Sequence, residues 1–242
     1  MVLTYVAKQM KGNNDIVLAV DDGTWRKEYF PEYKANRKTE KEKSEFPYDK
    51  FMPMFQQVID ELKQIHGKLS VVQVPGVEGD DIVAVIAPRV LPAIIHSSDQ
   101  DLLQLQVFYK GVKQFNPRDW KYITPEDKSY DIFDHIIRGD AGDGVPNVLS
   151  EDRCFVDKIR QVPMIKSRYD ELYGKIATPD PEGYIGDDED LMRRYYRNKL
   201  MVDLREIPAD IKVKIVEVYE SSKQPGKLGD FSNHLLKHGV MI

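Results

Sequence analysis

Residues Leu69–Ala87, LSVVQVPGVEGDDIVAVIA, decide the fold. The run Leu69–Val74 is short, apolar and rich in β-branched residues, and Pro75-Gly76 closes it, so it reads as a buried strand. Glu78, Asp80 and Asp81 follow, and an apolar run of helical length then predicts a helix over Glu78–Ala87. Carboxylates suit that place, because the dipole at a helix start favours negative charge. Strand, turn and helix in immediate succession are the repeating unit of an α/β fold.

Working outward, the pattern recurs. Ile16–Val20 is a second strand ending at Asp21-Asp22-Gly23, and Ala93–Ser97 is a third, running into Asp99 and Asp101. Phe51–Ile65 has apolar residues at helical spacing and stops at Gly67. A short helix is predicted around Leu102–Leu105, strands over Val112–Phe115 and Trp120–Ile123, and a helix from Thr124 to about Arg138. After Asp143 only helical segments remain: Glu151–Arg160, Lys166–Tyr173, Asp188–Val202 and Ala209–Ser221, with an acidic loop over Thr178–Asp190. Residues 1–11 read as the tail of an amphipathic helix before the turn Gly12-Asn13-Asn14. The predicted fold class is therefore α/β. A mainly parallel sheet with flanking helices spans residues 1–143, and a helical lobe spans 144–242.

Composition narrows the class. With 41% hydrophobic and 31% charged residues the chain reads as soluble and globular. Its longest apolar runs fall far short of the roughly 20 residues of a membrane span. No charged start, apolar centre and small-residue cleavage site marks a secretory signal. The single Cys154 excludes an intramolecular disulfide and fits a reducing cytoplasm. The net charge of −5 argues at first against a nucleic-acid partner, but its distribution argues for one. Trp25–Lys43 carries seven basic residues against four glutamates, and setting aside seven clustered carboxylates turns −5 into +2.

Those seven are Asp21, Glu78, Asp80, Asp99, Asp101, Asp140 and Asp143, the last two within Arg138-Gly-Asp-Ala-Gly-Asp-Gly144. Ligands of open α/β sheets bind beyond the carboxyl ends of the strands, so parallel strands predict convergence at one edge. Singly, each acid is an ordinary strand-end or capping residue. Together they repel unless cations neutralise them. An all-oxygen set suits two Mg²⁺ ions, with Mn²⁺ able to substitute, and two such ions clamp an in-line displacement at phosphorus. His66, His96, His135, His234 and His238 show no ligand spacing.

The series Val20-Asp21, Trp25-Arg26, Phe30-Pro-Glu-Tyr-Lys-Ala-Asn-Arg37, Glu78-Gly-Asp-Asp81, Ser97-Ser-Asp-Gln-Asp101 and Gly139-Asp-Ala-Gly-Asp143 resembles the flap endonuclease, or 5′-nuclease, superfamily. Within it the chain is most similar to the T-even phage ribonuclease H type, including Asn198-Lys-Leu-Met-Val-Asp-Leu204 and Ile207-Pro208. The resemblance implies that Asp21, Glu78, Asp80, Asp99 and Asp101 line a two-metal site, with Asp140 and Asp143 completing the second position. Asp81 matches the family's double acid but ranks lower. It also implies an arch over about residues 26–45, through which a 5′ single strand reaches the metals. Lys34 and Arg37 would be catalytic there, and Arg26, Lys34, Arg37 and Lys38 would contact nucleic acid. Lysine offers phosphate a point charge and arginine a bidentate fork. With few apolar anchors, Arg26–Glu45 is expected to pack poorly without nucleic acid.

The implied activity is a Mg²⁺-dependent 5′→3′ nuclease that acts on RNA–DNA hybrid, flap or nicked duplex and removes RNA primers in phage DNA replication. A monomer in the cytoplasm of the infected host is implied, with DNA and RNA–DNA hybrid as partners, a single-strand-binding protein or sliding clamp beside it, and no membrane. Two departures stand out. The family begins with a strand whose Asp reaches the first metal, whereas this sequence opens inside the following helix, and Asp15 lies at the wrong end of its strand. Val145–Asp152 also lacks the glycines of the family's helix-hairpin-helix turn. The alternative is a nucleic-acid-binding protein of the same fold with impaired catalysis. A dehalogenase-like phosphatase, suggested by Asp21-Asp22-Gly23-Thr24, is excluded because Val20 stands where its nucleophilic Asp would be.

Overall fold

The computed structural model describes residues 15–37, 44–64, 68–178, 181 and 188–223. The helix predicted over 1–11, the Gly12-Asn13-Asn14 turn, Lys38, His66, Gly67, most of the acidic loop, His234 and His238 lie outside these residues. Strand β1 (Ile16–Val20) pairs in parallel with β2 (Leu69–Gln73), Ile16 opposite Leu69. Strand β3 (Ala93–His96) pairs in parallel with β4 (Val112–Asn116), which pairs antiparallel with β5 (Lys121–Ile123). Among the described residues the ladder thus forms two sheets, one of two strands and one of three. Side chains from both meet in one core, where Val17 and Ala19 of β1 join Ile95 and Val112.

The period-two alternation of the strands builds the layers. Leu69 and Val71 of β2, with Val20 of β1, face α2 (Tyr48–Lys63) and bury Ile59 and Leu62. Val72 and Val74 face the other way, onto Ile82, Val85 and Ile86 of α3 (Gly79–Ile86). Helix α9 (Ala209–Ser222) completes that second layer with Ile215 and Tyr219. At about 1.5–3 kcal/mol for each large apolar side chain removed from water, these two anchors hold α9 to the sheet. Residues 209–222, read as part of a separate lobe, thus pack on the α/β core. Phe51, Phe55 and Val58 of α2 share the helical spacing yet stay exposed. Among the described residues no helix is long and apolar enough to cross a membrane.

A second core gathers α6 (Ile132–Arg138), α7 (Lys166–Ile176) and α8 (Glu189–Val202) around Ile136, Ile137, Leu172, Ile176 and Leu191. The shorter helices are α1 (Arg26–Tyr29), α4 (Gln104–Phe108), preceded by a 3₁₀ turn at Asp101–Leu103, and α5 (Pro125–Lys128).

Three expectations are corrected here. The single helix from Thr124 to Arg138 is two, because Ser129 adopts φ 49° and ends α5, and Asp131 caps α6 anew through Phe133 N. Glu151–Arg160 is a chain of turns and not a helix. Its own bonds change span along the chain, Cys154 N to Glu151 O, Asp157 N to Arg153 O and Ile159 N to Cys154 O, and Lys158 stands at φ 56°. Side chains tie the flanks, with Leu149 N donating to Asn147 Oδ1 and Val162 N to Ser150 Oγ. Such local side-chain bonds compete with a helical ladder. The charged segment from Arg26 is also packed through Arg37, with Trp25, Phe30 and Tyr33 each 4% exposed or less. Four aromatic residues in Trp25–Tyr33 supply the apolar area that a count of charges overlooks.

Candidate metal and nucleic-acid site

The strands deliver their acids as parallel geometry requires. Asp21 follows β1, and its Oδ1 accepts a 2.6 Å hydrogen bond from Gly79 N at the start of α3. Glu78 occupies the N-cap of α3, and Asp80 and Asp81 stand in its first turn. Beyond β3, Asp99 N donates to Ser97 Oγ and Asp101 N donates to Asp99 Oδ1, folding the two acids into a tight turn. Gln114 of β4 fixes that turn by donating to the carbonyls of Ser97 and Asp99.

The last two acids come from the loop after α6. Asp140 Oδ1 accepts from Gly142 N and Asp143 N. Gly139 makes this exit with φ 68° and ψ −169°, a region open essentially only to glycine. A Cβ there would also lie 2.4 Å from the Val145 carbonyl oxygen.

The seven carboxylates lie close enough for their charges to act on Asp80 or Asp101. Burial, then Asp99, Asp21, Asp101 and Glu78, pushes the Asp80 carboxyl up to about 7. Burial, then Asp99, Asp140 and Asp143, pushes Asp101 up to about 7, against the opposing pull of Lys34. These are the signatures of like charges crowded where water is scarce.

The basic residues divide by depth. Arg26, expected to contact nucleic acid, is 3% exposed and does not face solvent. It donates from Nη1 to Glu78 and from both terminal nitrogens to Asp81, while its Nε donates to the Met201 carbonyl. Asp81 is fully buried and also accepts from Trp25 Nε1 at 2.9 Å. Burial alone would lower the Arg26 guanidinium, but Asp81, Tyr33 and Glu78 hold it above its ordinary value. This is a correction: Arg26 is a structural counter-ion for the carboxylates.

Lys34 pairs with Glu78 through a short contact and lies 3.4 Å from Asp143. Arg37 pairs with Asp143 and is 54% exposed. The Lys34 backbone sits at φ 54°, a strained choice for a residue with a Cβ, and its N–H donates to the Asp143 carbonyl at 2.7 Å. That kink docks the Phe30–Arg37 block onto the Gly139–Gly144 loop and turns Lys34 inward.

Two participants were not among the site residues expected from the sequence, although Tyr33 lies within the Phe30–Arg37 motif. Tyr33 donates its one hydroxyl proton to Asp143 at 2.7 Å, with Glu78 Oε2 3.2 Å from the same oxygen. His135, set aside for want of ligand spacing, is brought by α6 between Asp101 and Asp140, with Nδ1 at 3.6 Å and Nε2 at 3.9 Å. Burial lowers its pKa against the pull of the surrounding acids.

A family model described as the 5′-3′ exonuclease, N-terminal resolvase-like domain, matches residues 1–131. The chain belongs to this family. Among curated proteins, this 5′-3′ exonuclease-family chain is 29% identical over 240 residues to the ribonuclease H of Enterobacteria phage T4, covering 95% of this chain and 77% of that protein. It is 27% identical over 160 residues to the DNA polymerase I of Borreliella burgdorferi, covering 60% of this chain but only 16% of that protein. Among solved structures it resembles the bacteriophage T5 flap endonuclease in complex with DNA and metal ions, with TM-score 0.54 and 23% identity over 98% of this chain and 88% of that one. The T5 5′-exonuclease with bound zinc matches with TM-score 0.53 and 20% identity, over 98% and 88% of the two chains. These likenesses share the fold, an α/β core with flanking helices. The family places the chain among the nucleases.

Proposed function

We propose that this chain is a divalent-metal-dependent 5′→3′ nuclease that hydrolyses phosphodiesters of RNA–DNA hybrid, flap or nicked duplex. The observation that carries the reading is the approach of five carboxylates that follow β1, β2 and β3 to two from the loop after α6, with Asp80 and Asp101 pushed up to about 7. Acids that resist ionisation beside one another are a site short of positive charge. The donors are oxygens almost throughout, which fits hard divalent ions such as Mg²⁺ or Mn²⁺. Asp21, Glu78, Asp80, Asp99 and Asp101 would hold them, with Asp140 and Asp143 at the second position. Two ions bound there supply a water of lowered pKa and a counter-charge for the leaving oxygen.

The chain's own residues set the geometry. Arg26 locks Glu78 and Asp81 at the start of α3, and Tyr33 aims Asp143. Lys34 and Arg37 pair with Glu78 and Asp143 when no ion competes for those oxygens. Cations taking the same oxygens would free both side chains for phosphate, where lysine and arginine make charge-assisted contacts. The likeness to the ribonuclease H of phage T4 supports an RNA–DNA hybrid as substrate beside DNA, and primer removal in phage DNA replication is the role we propose for the activity.

The test uses the full chain on 5′-labelled flap DNA and on an RNA–DNA hybrid. Cleavage that requires Mg²⁺, stops with chelator and falls at least about a hundredfold in Asp99→Asn is expected. Cleavage that survives chelation would overturn the metal reading. Binding without any metal-dependent cleavage would leave a nucleic-acid-binding protein of impaired activity.

A further inference from the structure

His135 lies on α6 with Ile132, Ile136 and Ile137 turned into the second core, so its ring is left on the side of the carboxylates. At 3.6 Å from Asp101 Oδ1 and 3.9 Å from Asp140 Oδ2, neither contact is a hydrogen bond. One ring nitrogen and one oxygen from each acid all lie within 4.8 Å of one another. Two ligands on a common cation, bonded at about 2.0–2.2 Å, are about 3.0 Å apart at a right angle and about 3.4 Å apart in a tetrahedron. Asp101 is nearest Nδ1 and Asp140 is nearest Nε2, so one ion takes one of the two nitrogens, and the three ligand atoms, all within 4.8 Å of one another, would close in around it by up to about 1–2 Å. The ring is half-buried, at 18% side-chain exposure, and Tyr130 stands edge-on to it at 6.3 Å, so its direction is set by packing.

We propose that His135 donates a ring nitrogen to the metal position it shares with Asp101 and Asp140, and that this position selects Mn²⁺, Co²⁺ or Zn²⁺ over Mg²⁺. The proposal rests on the carboxylate reading above and adds a ligand of different chemistry to it. Imidazole is a borderline donor that suits transition ions, whereas Mg²⁺ takes oxygen and keeps much of its water. The two ion positions of one site would then differ in preference. The oxygen-only set around Asp21, Glu78 and Asp80 would stay open to Mg²⁺.

The probe is Mn²⁺ on the full chain without nucleic acid, read by pulsed electron paramagnetic resonance and by calorimetric titration beside Mg²⁺. Nitrogen modulation of the Mn²⁺ signal is expected, and it should change frequency when the histidines carry a heavy nitrogen isotope. That measurement needs no mutant. In His135→Gln the modulation should vanish, and Mn²⁺ affinity should fall by about tenfold or more while Mg²⁺ affinity moves far less. Bound Mn²⁺ with no nitrogen modulation would overturn the proposal and leave the carboxylate site standing. Equal weakening of Mn²⁺ and Mg²⁺ in His135→Gln would overturn the selectivity. Failure of the wild-type chain to bind either ion would overturn the carboxylate reading and the proposal with it.

Discussion

Replacing Asp80 by asparagine should make the metal-free protein more stable in base, although it removes a residue from the candidate site. The Asp80 carboxyl moves from an ordinary 3.8 up to about 7 in the folded chain, through burial and then the charges of Asp99, Asp21, Asp101 and Glu78. For an acid raised in this way, the folded state holds its proton more tightly than the unfolded state. Its favourable contribution is complete below 3.8 and is lost as pH rises through about 7. At roughly 1.36 kcal/mol per pH unit, the full loss by pH 8 is about 4 kcal/mol as an upper bound. Asp101 shares the same repulsion, and its side chain is 38% exposed, so solvent screens part of the effect.

Asp80→Asn keeps the shape and removes the charge. In chelator at about pH 8 it should exceed the wild type by roughly 2–4 kcal/mol, or about 5–15 °C in melting temperature for a chain of this size. Between about pH 8 and pH 5 that advantage should shrink by up to about 3 kcal/mol. Adding Mg²⁺ at about a hundred times its Kd should stabilise the wild type by about 2.7 kcal/mol, and the variant by much less. The assay is thermal and denaturant unfolding at the two pH values, with chelator and with metal. A variant less stable than wild type at pH 8 in chelator, or an advantage that does not change with pH, would refute the reasoning.

Arg26→Ala should cost about 3–5 kcal/mol, because it strands Asp81 without its counter-ion at zero exposure; urea unfolding reads this, and unchanged stability would contradict the buried role. Lys34→Ala and Arg37→Ala should leave the fold intact and slow 5′-flap cleavage by about ten- to a hundredfold, since both residues sit at the rim of the site. Single-turnover kinetics checks it, and wild-type rates in both variants would remove them from the chemistry. Gly139→Ala should destabilise by about 3 kcal/mol or more, because φ 68° with ψ −169° excludes a Cβ that would also strike the Val145 carbonyl. Metal-induced stabilisation should fall with it as Asp140 is displaced, and a normal metal response would show that the loop tolerates the side chain.

The α/β character was legible because its signals are local and agree with one another. In β2 the alternation of Leu69 and Val71 against Val72 is matched by α2 on one face and α3 on the other. The placement of Asp21 after β1 and of Asp99 and Asp101 after β3 was legible for the same reason, since a strand delivers the residues that follow it to a fixed edge. Arg26 and its neighbours were misread because charge is counted easily along a chain while its direction is not. Trp25, Phe30 and Tyr33 were the available signal. The turns at 151–160 depend on backbone bonds of mixed span and on φ 56° at Lys158, which no helical periodicity announces. His135 depends on how α6 lies against the loop that carries Asp101, so no spacing could have shown it.

Depth therefore separates roles that composition merges. Arg26, Lys34 and Arg37 all pair with site carboxylates, yet their side chains are 4%, 19% and 54% exposed. Moving Arg26 would expose Asp81 and Glu78 to each other in a dry interior, so that pair persists whatever else binds. Arg37 loses little by exchanging one exposed anion for another, and Lys34 stands between the two cases. Three cations cannot balance the seven clustered acids and Asp81, and part of the deficit shows as protons held near neutrality on Asp80 and Asp101. Divalent ions are the better answer to the same deficit, because they bring charge without neutralising the oxygens as ligands. The exposed cations are then the ones set free, at the side of the site from which a phosphate would arrive.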